Sequence, residues 1–403
     1  MKDDYKVIKD GGVTSAQGFV AAGIASGIKP AGKKDLAIVY SAVPAQIGAT
    51  FTTNLVKAAP VKVSFEHARN GSVRGVVLNS GNANACTGVL GIKNAKSMVE
   101  KTAKALDCKP KEVLVCSTGR IGVQLPMPKI ERGIKKTVAK LNVDGGADAA
   151  KAIMTSDTFR KEFAVRVEID GRKVTIGGMA KGAGMIHPQM ATMLCVITTD
   201  ANIDKATLRK CTYEAVELSF NRITIDGDTS TNDTVMVLAN GMAENPLIKS
   251  YHPQLGVFQK ALVTVMRKLA RMIVQDGEGI SRVVEVNVKG AASNADAKLA
   301  ALAVAHSALV KCSWCGGDPN WGRLMDAIGY SGARVKEEMV EIYYDGLVAV
   351  SNGEASRTPV AKLRKIVRRP AFTITLHLHL GSGEYSVLTT DLTEKYVTFN
   401  KGE

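Results

Sequence analysis

Residues 163 to 197 restrict the fold more than any other part of the chain. Phe163, Val165, Val167 and Ile169 alternate with Ala164, Arg166 and Glu168, the period of an extended strand. Asp170-Gly171 then supplies two residues that tolerate positive φ, and Lys173 to Ile176 carries the chain back. That combination predicts a hairpin closed by a type I′ turn. Gly177 to Gly184 holds four glycines and predicts a glycine-rich loop, while Met193 to Ile197 reads as a buried strand.

Helical spacing surrounds this segment. Lys93 to Leu106 repeats Ala95, Met98, Val99, Thr102, Ala103 and Leu106 at i, i+3 and i+4. Pro128 can open a second helix with Ile130, Ile134, Val138 and Leu141 on one face. Further helices are predicted over 204–220, 255–274 and near 295–309, and Phe372 to Leu380 with Glu384 to Leu388 predicts another hairpin. Helices and strands mix throughout, so the expected class is α/β, or α+β, with layered sheets. At 403 residues the chain holds material for two or three domains. A shift to alternating strands after residue 284 separates 1–284 from a C-terminal α+β domain, 285–403.

Composition excludes more than it selects. Hydrophobic residues at 45% and charged residues at 23% give an ordinary globular balance, without the signature of long disorder. The start, Met1-Lys2-Asp3-Asp4-Tyr5-Lys6, lacks a signal-peptide apolar core, and no run reaches membrane-spanning length, so a soluble, cytoplasmic protein is expected. Seven scattered cysteines read as reduced thiols, and the lone Cys312-Ser-Trp-Cys315 has no second pair to make a zinc site. A net charge of +15 attracts anions without choosing among them. A nucleic-acid binder would rest on that charge alone, because no aromatic RNA motif, helix-turn-helix cue or finger spacing accompanies it.

Other polar groupings are weaker still. His377 and His379 share a strand face but lack a third ligand, so no metal is expected there. Asp226, Asp228, Asn232 and Asp233 imitate a metal loop without its terminal bidentate glutamate. Asp318-Pro319-Asn320 is placed to cap a helix starting near Trp321.

The glycine-rich stretch delivers Thr192 to an apolar strand. By pattern alone it is a long loop beside a strand residue. Its chemistry admits more: a threonine at a strand start can attack the preceding carbonyl, shift the acyl group from nitrogen to oxygen, and be freed by hydrolysis. The new α-amine has a reference pKa of about 7.7–8.0, against about 10.4 for lysine, so one residue can supply both nucleophile and base.

This stretch, with Met190-Ala191-Thr192-Met193-Leu194, resembles the self-processing site of the ornithine acetyltransferase (glutamate N-acetyltransferase) family of arginine biosynthesis. The likeness extends through Asn79-Ser80-Gly81-Asn82-Ala83-Asn84, Ser117-Thr118-Gly119, Thr155-Ser156-Asp157-Thr158 and Phe220-Asn221-Arg222. It continues in Asp226 to Thr234, Asp276-Gly277-Glu278-Gly279 and Asp318-Pro319-Asn320-Trp321-Gly322-Arg323, nearly the whole chain in order.

The resemblance implies a layered αββα core akin to N-terminal nucleophile hydrolases, with the topology of these acetyltransferases and of related self-cleaving aminopeptidases. It makes Ala191–Thr192 the cleaved bond, giving chains 1–191 and 192–403, and Thr192 the acetyl acceptor. Thr118 and Gly119 become the oxyanion pair, which acyl transfer needs because it passes through a tetrahedral oxyanion. Thr155, Lys181, Thr192, Glu278 and Asn400 become the substrate-binding residues, a cation and a carboxylate suiting zwitterionic substrates. The implied substrates are N2-acetylornithine and glutamate, with acetyl-CoA a second candidate donor, no cofactor, and an α2β2 assembly of cleaved chains. Nucleic acid and membrane are not among the implied partners. The runner-up is an aminopeptidase of similar fold, which would hydrolyse without an acetyl acceptor. Arg120 stands where the family often carries a small apolar residue, Gln189 where asparagine is expected. The chain stops at Glu403, short of the family's terminal hydroxyl contact.

Overall fold

The computed structural model describes residues 5–69, 71–187 and 193–402. They form two compact units: Met1–Asn221 with Asp228–Ile273, and Arg222–Gly227 with Val274–Glu403.

The first unit is built on nine strands, β1 (Lys6–Val7), β2 (Phe19–Ile24), β3 (Leu36–Phe51), β4 (Val73–Asn82), β5 (Val113–Arg120), β6 (Lys161–Ile169), β7 (Arg172–Lys181), β8 (Leu194–Thr199) and β9 (Thr234–Ala239). They hydrogen-bond in the order β1-β6-β7-β8-β9-β3-β4-β5, with β2 beside β3. The long β3 joins the two halves: Leu36 to Tyr40 pairs with β2 and β4, and Gln46 to Phe51 pairs with β9. Helices α1 (Ala59–Arg69), α2 (Gly88–Leu106), α3 (Met127–Val138), α4 (Gly146–Ile153), α5 (Lys205–Glu217) and α6 (Leu255–Gln275) complete it.

Strand alternation builds the layers. Val76, Leu78, Leu114 and Cys116 share an inner cluster with Met179, Leu194, Val196, Met236 and Leu238 from the other half. The residues between them, Val77, Val113 and Val115, face outward onto Met98, Val99 and Ala103 of α2 and Ile130 and Ile134 of α3. On the far side α5 lies so close to β3 that a side-chain carbon on Gly48 would meet Thr212 Oγ1 at 2.2 Å. The result is the αββα stack, each fully buried valine or leucine contributing roughly 1.5–3 kcal/mol.

The 163–176 hairpin forms with Asp170 at φ 48° and Gly171 at φ 72°, the two left-handed residues of a type I′ turn. The glycine-rich loop is shorter than the sequence predicts. Gly177, Gly178 and Lys181 belong to β7, which pairs with β6 and β8 on either side. These glycines serve close packing: an added carbon would lie 2.2 Å from Gly12 O at Gly177 and 2.9 Å from Ile197 Cγ1 at Gly178.

The second unit carries β10 (Val283–Ala291), β11 (Glu341–Tyr344), β12 (Leu347–Ser351), β13 (Glu354–Ala355), β14 (Ala371–His377) and β15 (Gly383–Thr390), in the order β13-β12-β11-β14-β10-β15. Its helices are α7 (Asn294–His306), α8 (Ala308–Cys315), α9 (Trp321–Gly329), α10 (Val360–Val367) and α11 (Glu394–Phe399). The predicted hairpin near the C-terminus is corrected here. β10 lies between its two strands, parallel to β14 and antiparallel to β15. Its Val284, Val286 and Val288 are buried, and a central strand with such a face outcompetes local pairing. The helix predicted to reach Leu309 breaks at Ser307, whose hydroxyl accepts from Val310 N and caps α8. Asn320 caps α9 by accepting from Arg323 N.

Candidate active site

Gly119 lies where β4 and β5 come closest. It pairs with Gly81, at φ 128° against 96°, and a side-chain carbon on it would fall 2.4 Å from Gly81 C and 2.5 Å from Asn82 N. Only glycine fits, for want of both space and conformation. Thr118 beside it is buried, and Lys181 Nζ donates to its Oγ1 at 3.2 Å. Having accepted from the ammonium, the hydroxyl keeps its own proton to donate.

Lys181 is 3% exposed at the end of β7, where the sequence reading without its resemblance would leave a solvated loop lysine. Burial of such a cation requires a nearby carboxylate, and Asp157 supplies it. Asp157 also organises the local backbone: Oδ1 accepts from Lys161 Nζ at 2.6 Å and Gly182 N at 2.8 Å, and Oδ2 from Thr155 N at 2.9 Å. Burial would raise its pKa, but Lys181, Lys161 and the Gly182 N–H outweigh it and hold the carboxyl down at about 2. Asp157 thereby ties exposed Thr155 to the chain end of β7.

Lys29 joins this group. Its Nζ donates to Met154 O at 2.5 Å and Lys34 O at 2.9 Å. Burial lowers its pKa to about 8, Asp35 and Asp157 opposing and Lys181 assisting. Asp233 is fully buried, and Oδ1 accepts from Met193 N at 2.8 Å. Burial drives its pKa well up, against the Met193 N–H, Lys181 and Ser230. Ala191, Thr192 and Gln189 lie outside the described residues.

Glu278 and Asn400 come together in the second unit, Asn400 Nδ2 donating to Glu278 Oε2 at 3.2 Å and to Tyr396 O at 3.0 Å. The turn around Glu278 is held against α11: Thr393 Oγ1 donates to Gly279 O at 2.6 Å, and Gly279 has φ 65° with Tyr396 N directly beside it. Arg120 is exposed.

Sequence reasoning gave no role to Lys29, Asp157, Lys161 or Asp233. The Asp157–Lys161 spacing of four could have flagged a pair, but the segment is not helical and no sequence rule brings Lys29 or Asp233 near Lys181. His377 and His379 stack with ring centroids 3.7 Å apart, and His379 Nε2 meets Glu341 at 2.8 Å. Among the described residues no three histidine, cysteine or acidic side chains are grouped to hold a metal ion, and no helix is long and apolar enough to cross a membrane. All seven cysteines are free thiols. A cleft of about 1030 Å³ lined by Lys34, Lys136, Lys140 and Asp148 contains none of the site residues.

Residues 20–402 match the model of the ArgJ family. The arginine biosynthesis bifunctional protein ArgJ of Symbiobacterium thermophilum is 49% identical, over 97% of this chain and 98% of its own. The Bacillus subtilis protein of the same name is 41% identical, over 99% and 98% respectively. A crystal structure of ornithine acetyltransferase complexed with ornithine, from Mycobacterium tuberculosis, is 41% identical over 47% of this chain and all of that one, with a TM-score of 0.43.

Proposed function

The chain belongs to the ArgJ family, and from that premise we propose that it cleaves itself at Ala191–Thr192 and carries acetyl from N2-acetylornithine to glutamate on Thr192. It is an acyltransferase of arginine biosynthesis. The observation that carries the site assignment is the buried Thr118 hydroxyl near the end of β5, beside Gly119, with Lys181 donating to it.

Thr192 Oγ attacks the carbonyl of Ala191, the C–N bond breaks, and the acyl group passes to oxygen. Water then hydrolyses that ester, leaving a carboxylate on Ala191 and an amine on Thr192. In turnover the hydroxyl attacks the acetyl carbon of acetylornithine and its proton moves to the α-amine. As the acetyl C–N bond breaks, that proton passes to the departing ornithine amine. Glutamate's amine attacks the acetyl ester, the C–O bond breaks, and Thr192 recovers its proton.

Each addition places negative charge on the carbonyl oxygen. The Thr118 hydroxyl and the backbone at Gly119 are assigned to that oxyanion, an arrangement whose strength comes from being fixed beforehand. Lys181 is assigned to a substrate carboxylate with Thr155 nearby, and the Glu278–Asn400 pair to an amine.

The relatives are named bifunctional, which supports a second donor. Acetyl-CoA is our candidate, with coenzyme A leaving as its thiol. We also propose a cytoplasmic enzyme with two copies of each cleaved chain. The deciding assay supplies acetylornithine and glutamate, then acetyl-CoA and glutamate, and measures acetylglutamate by mass spectrometry. Acetylglutamate from the first mixture supports the reading. Free acetate without acetylglutamate would replace it with a hydrolase.

A further inference from the structure

Asn232 and Asp233 are consecutive and both buried, and neither has been given a contact with substrate. Asn232 Nδ2 donates to Ala83 O at 2.7 Å and to Ser117 O at 2.8 Å. Ser117 immediately precedes Thr118. Ala83 N in turn donates to Arg120 O at 2.9 Å, so Asn232 holds both flanks of the Thr118–Gly119 segment of β5. Asp233 Oδ1 accepts from Met193 N, the nitrogen of the peptide bond made by the Thr192 carbonyl.

The dipeptide is itself held fast. Asp233 O accepts from Thr52 N at 2.9 Å, Asn232 N donates to Ser230 Oγ at 3.0 Å, and Asn232 O accepts from Thr234 Oγ1 at 3.0 Å. Thr234 N donates to Met193 O at 3.1 Å, which continues into the parallel pairing of β8 with β9.

We propose that Asn232–Asp233 is the positioning element of the transfer site, setting the Thr118–Gly119 end of β5 through Asn232 and the chain leaving the nucleophile through Asp233. This rests on the acetyl-threonine reading. Two adjacent α-carbons are about 3.8 Å apart across a trans peptide, so the dipeptide is a short, stiff spacer. The oxyanion donors must stand about 2.7–3.1 Å from an atom that exists only during reaction. A misplacement of about 1 Å can lower the rate about 10²-fold. Neither side chain touches substrate in this scheme; both act through backbone groups.

The test compares Asn232→Ala, Asp233→Ala and Asp233→Asn with the wild type and Thr192→Ala. It follows cleavage at 191–192 by mass spectrometry, kcat and KM of the cleaved enzyme, and thermal midpoints. Asn232→Ala should lower kcat about 10²-fold with KM held. Asp233→Ala should slow cleavage and lower kcat, while Asp233→Asn, which keeps an acceptor oxygen, should retain both and the wild-type pH profile.

Wild-type kcat in a folded Asn232→Ala, or wild-type cleavage and kcat in Asp233→Ala, overturns the proposal. So does equal loss in both Asp233 variants, or a displaced pH profile in Asp233→Asn, which would make the carboxyl a proton carrier. If Asn232→Ala does not fold, Asn232→Ser keeps one donor and should retain part of kcat; none retained counts against the role. A wild type that neither cleaves nor transfers sinks the acetyl-threonine reading instead, which separates the two failures.

Discussion

Lys181 Nζ reaches Thr118 Oγ1 across 3.2 Å, joining the last residue of β7 to β5 in the buried interior of one unit. The ammonium does two things to that hydroxyl. It occupies an acceptor lone pair, leaving the O–H to donate, and it puts positive potential beside the position where an oxyanion would form. With the Asp157 carboxylate close to the same lysine, the cation is stabilised without a solvent shell.

Thr118→Ala deletes the hydroxyl but leaves the backbone N–H, so it tests the side chain alone. An oxyanion donor acts in the transition state, and its loss should lower kcat with KM nearly unchanged. The expected fall is about 10²–10³-fold, roughly 2.7–4 kcal/mol. Thr118→Ser should recover most of it. Steady-state acetyl transfer by the cleaved variant decides the matter, and a wild-type kcat in Thr118→Ala removes the hydroxyl from the mechanism.

Self-cleavage should yield fragments of 191 and 212 residues from the 403-residue chain. Thr192→Ala removes both the attacking oxygen and the acetyl acceptor. Denaturing mass spectrometry should find it intact, a cooperative thermal transition should show it folded, and assays should find it inactive. Cleavage of that variant at the same bond would reassign the nucleophile.

Much of the architecture was legible because it depends on short-range periodicity. The β6–β7 hairpin announced itself through alternation and Asp170-Gly171, and α2, α3, α5 and α6 through helical spacing. The β14–β15 error marks the limit of such reading. Their separation by β10 depends on a strand about 90 residues earlier, and nothing local to Phe372–Leu388 encodes it. The long β3 was also missed, because it is buried on both faces along Leu36 to Val39 and shows no alternation there. At the site, the motifs included Thr118, Gly119, Lys181 and Asp157 but not Lys29, and gave no role to Asp157; the roles of these two arise from burial and from charges brought together across the fold.

Gly119→Ala should be far worse than Gly122→Ala, although both glycines have positive φ, 128° and 81°. At Gly122 nothing lies within 4 Å of an added carbon, so the expected loss is the conformational strain alone, roughly 1–2 kcal/mol. At Gly119 the same carbon meets Gly81 and Asn82 backbone at 2.4 and 2.5 Å, and backbone cannot step aside without opening β4 from β5. Thermal midpoints should separate the two variants, and acetyl transfer should vanish only in Gly119→Ala. Equal midpoints would mean that the strands do not approach this closely in solution.

Asp157→Asn tests the buried ion pair. Asp157 and Lys161 are both without exposed side-chain surface, their Oδ1 and Nζ 2.6 Å apart. The substitution keeps an acceptor for Gly182 N but removes the Asp157 charge from beside a buried ammonium, which costs about 3–5 kcal/mol. Acid should narrow that difference. The carboxyl's pKa is held at about 2 in the folded protein, against about 3.9 in an unfolded chain. The folded state therefore binds fewer protons in this window, and the stabilisation it confers is complete above about pH 4 and lost as pH falls towards 2. Thermal midpoints taken in steps from pH 7 to the lowest pH that preserves the fold should show wild type well above Asp157→Asn near neutrality and the two converging below pH 4. Curves that stay parallel through that range would show that the carboxylate's charge is not what holds Lys161, and with it the end of β7, in place.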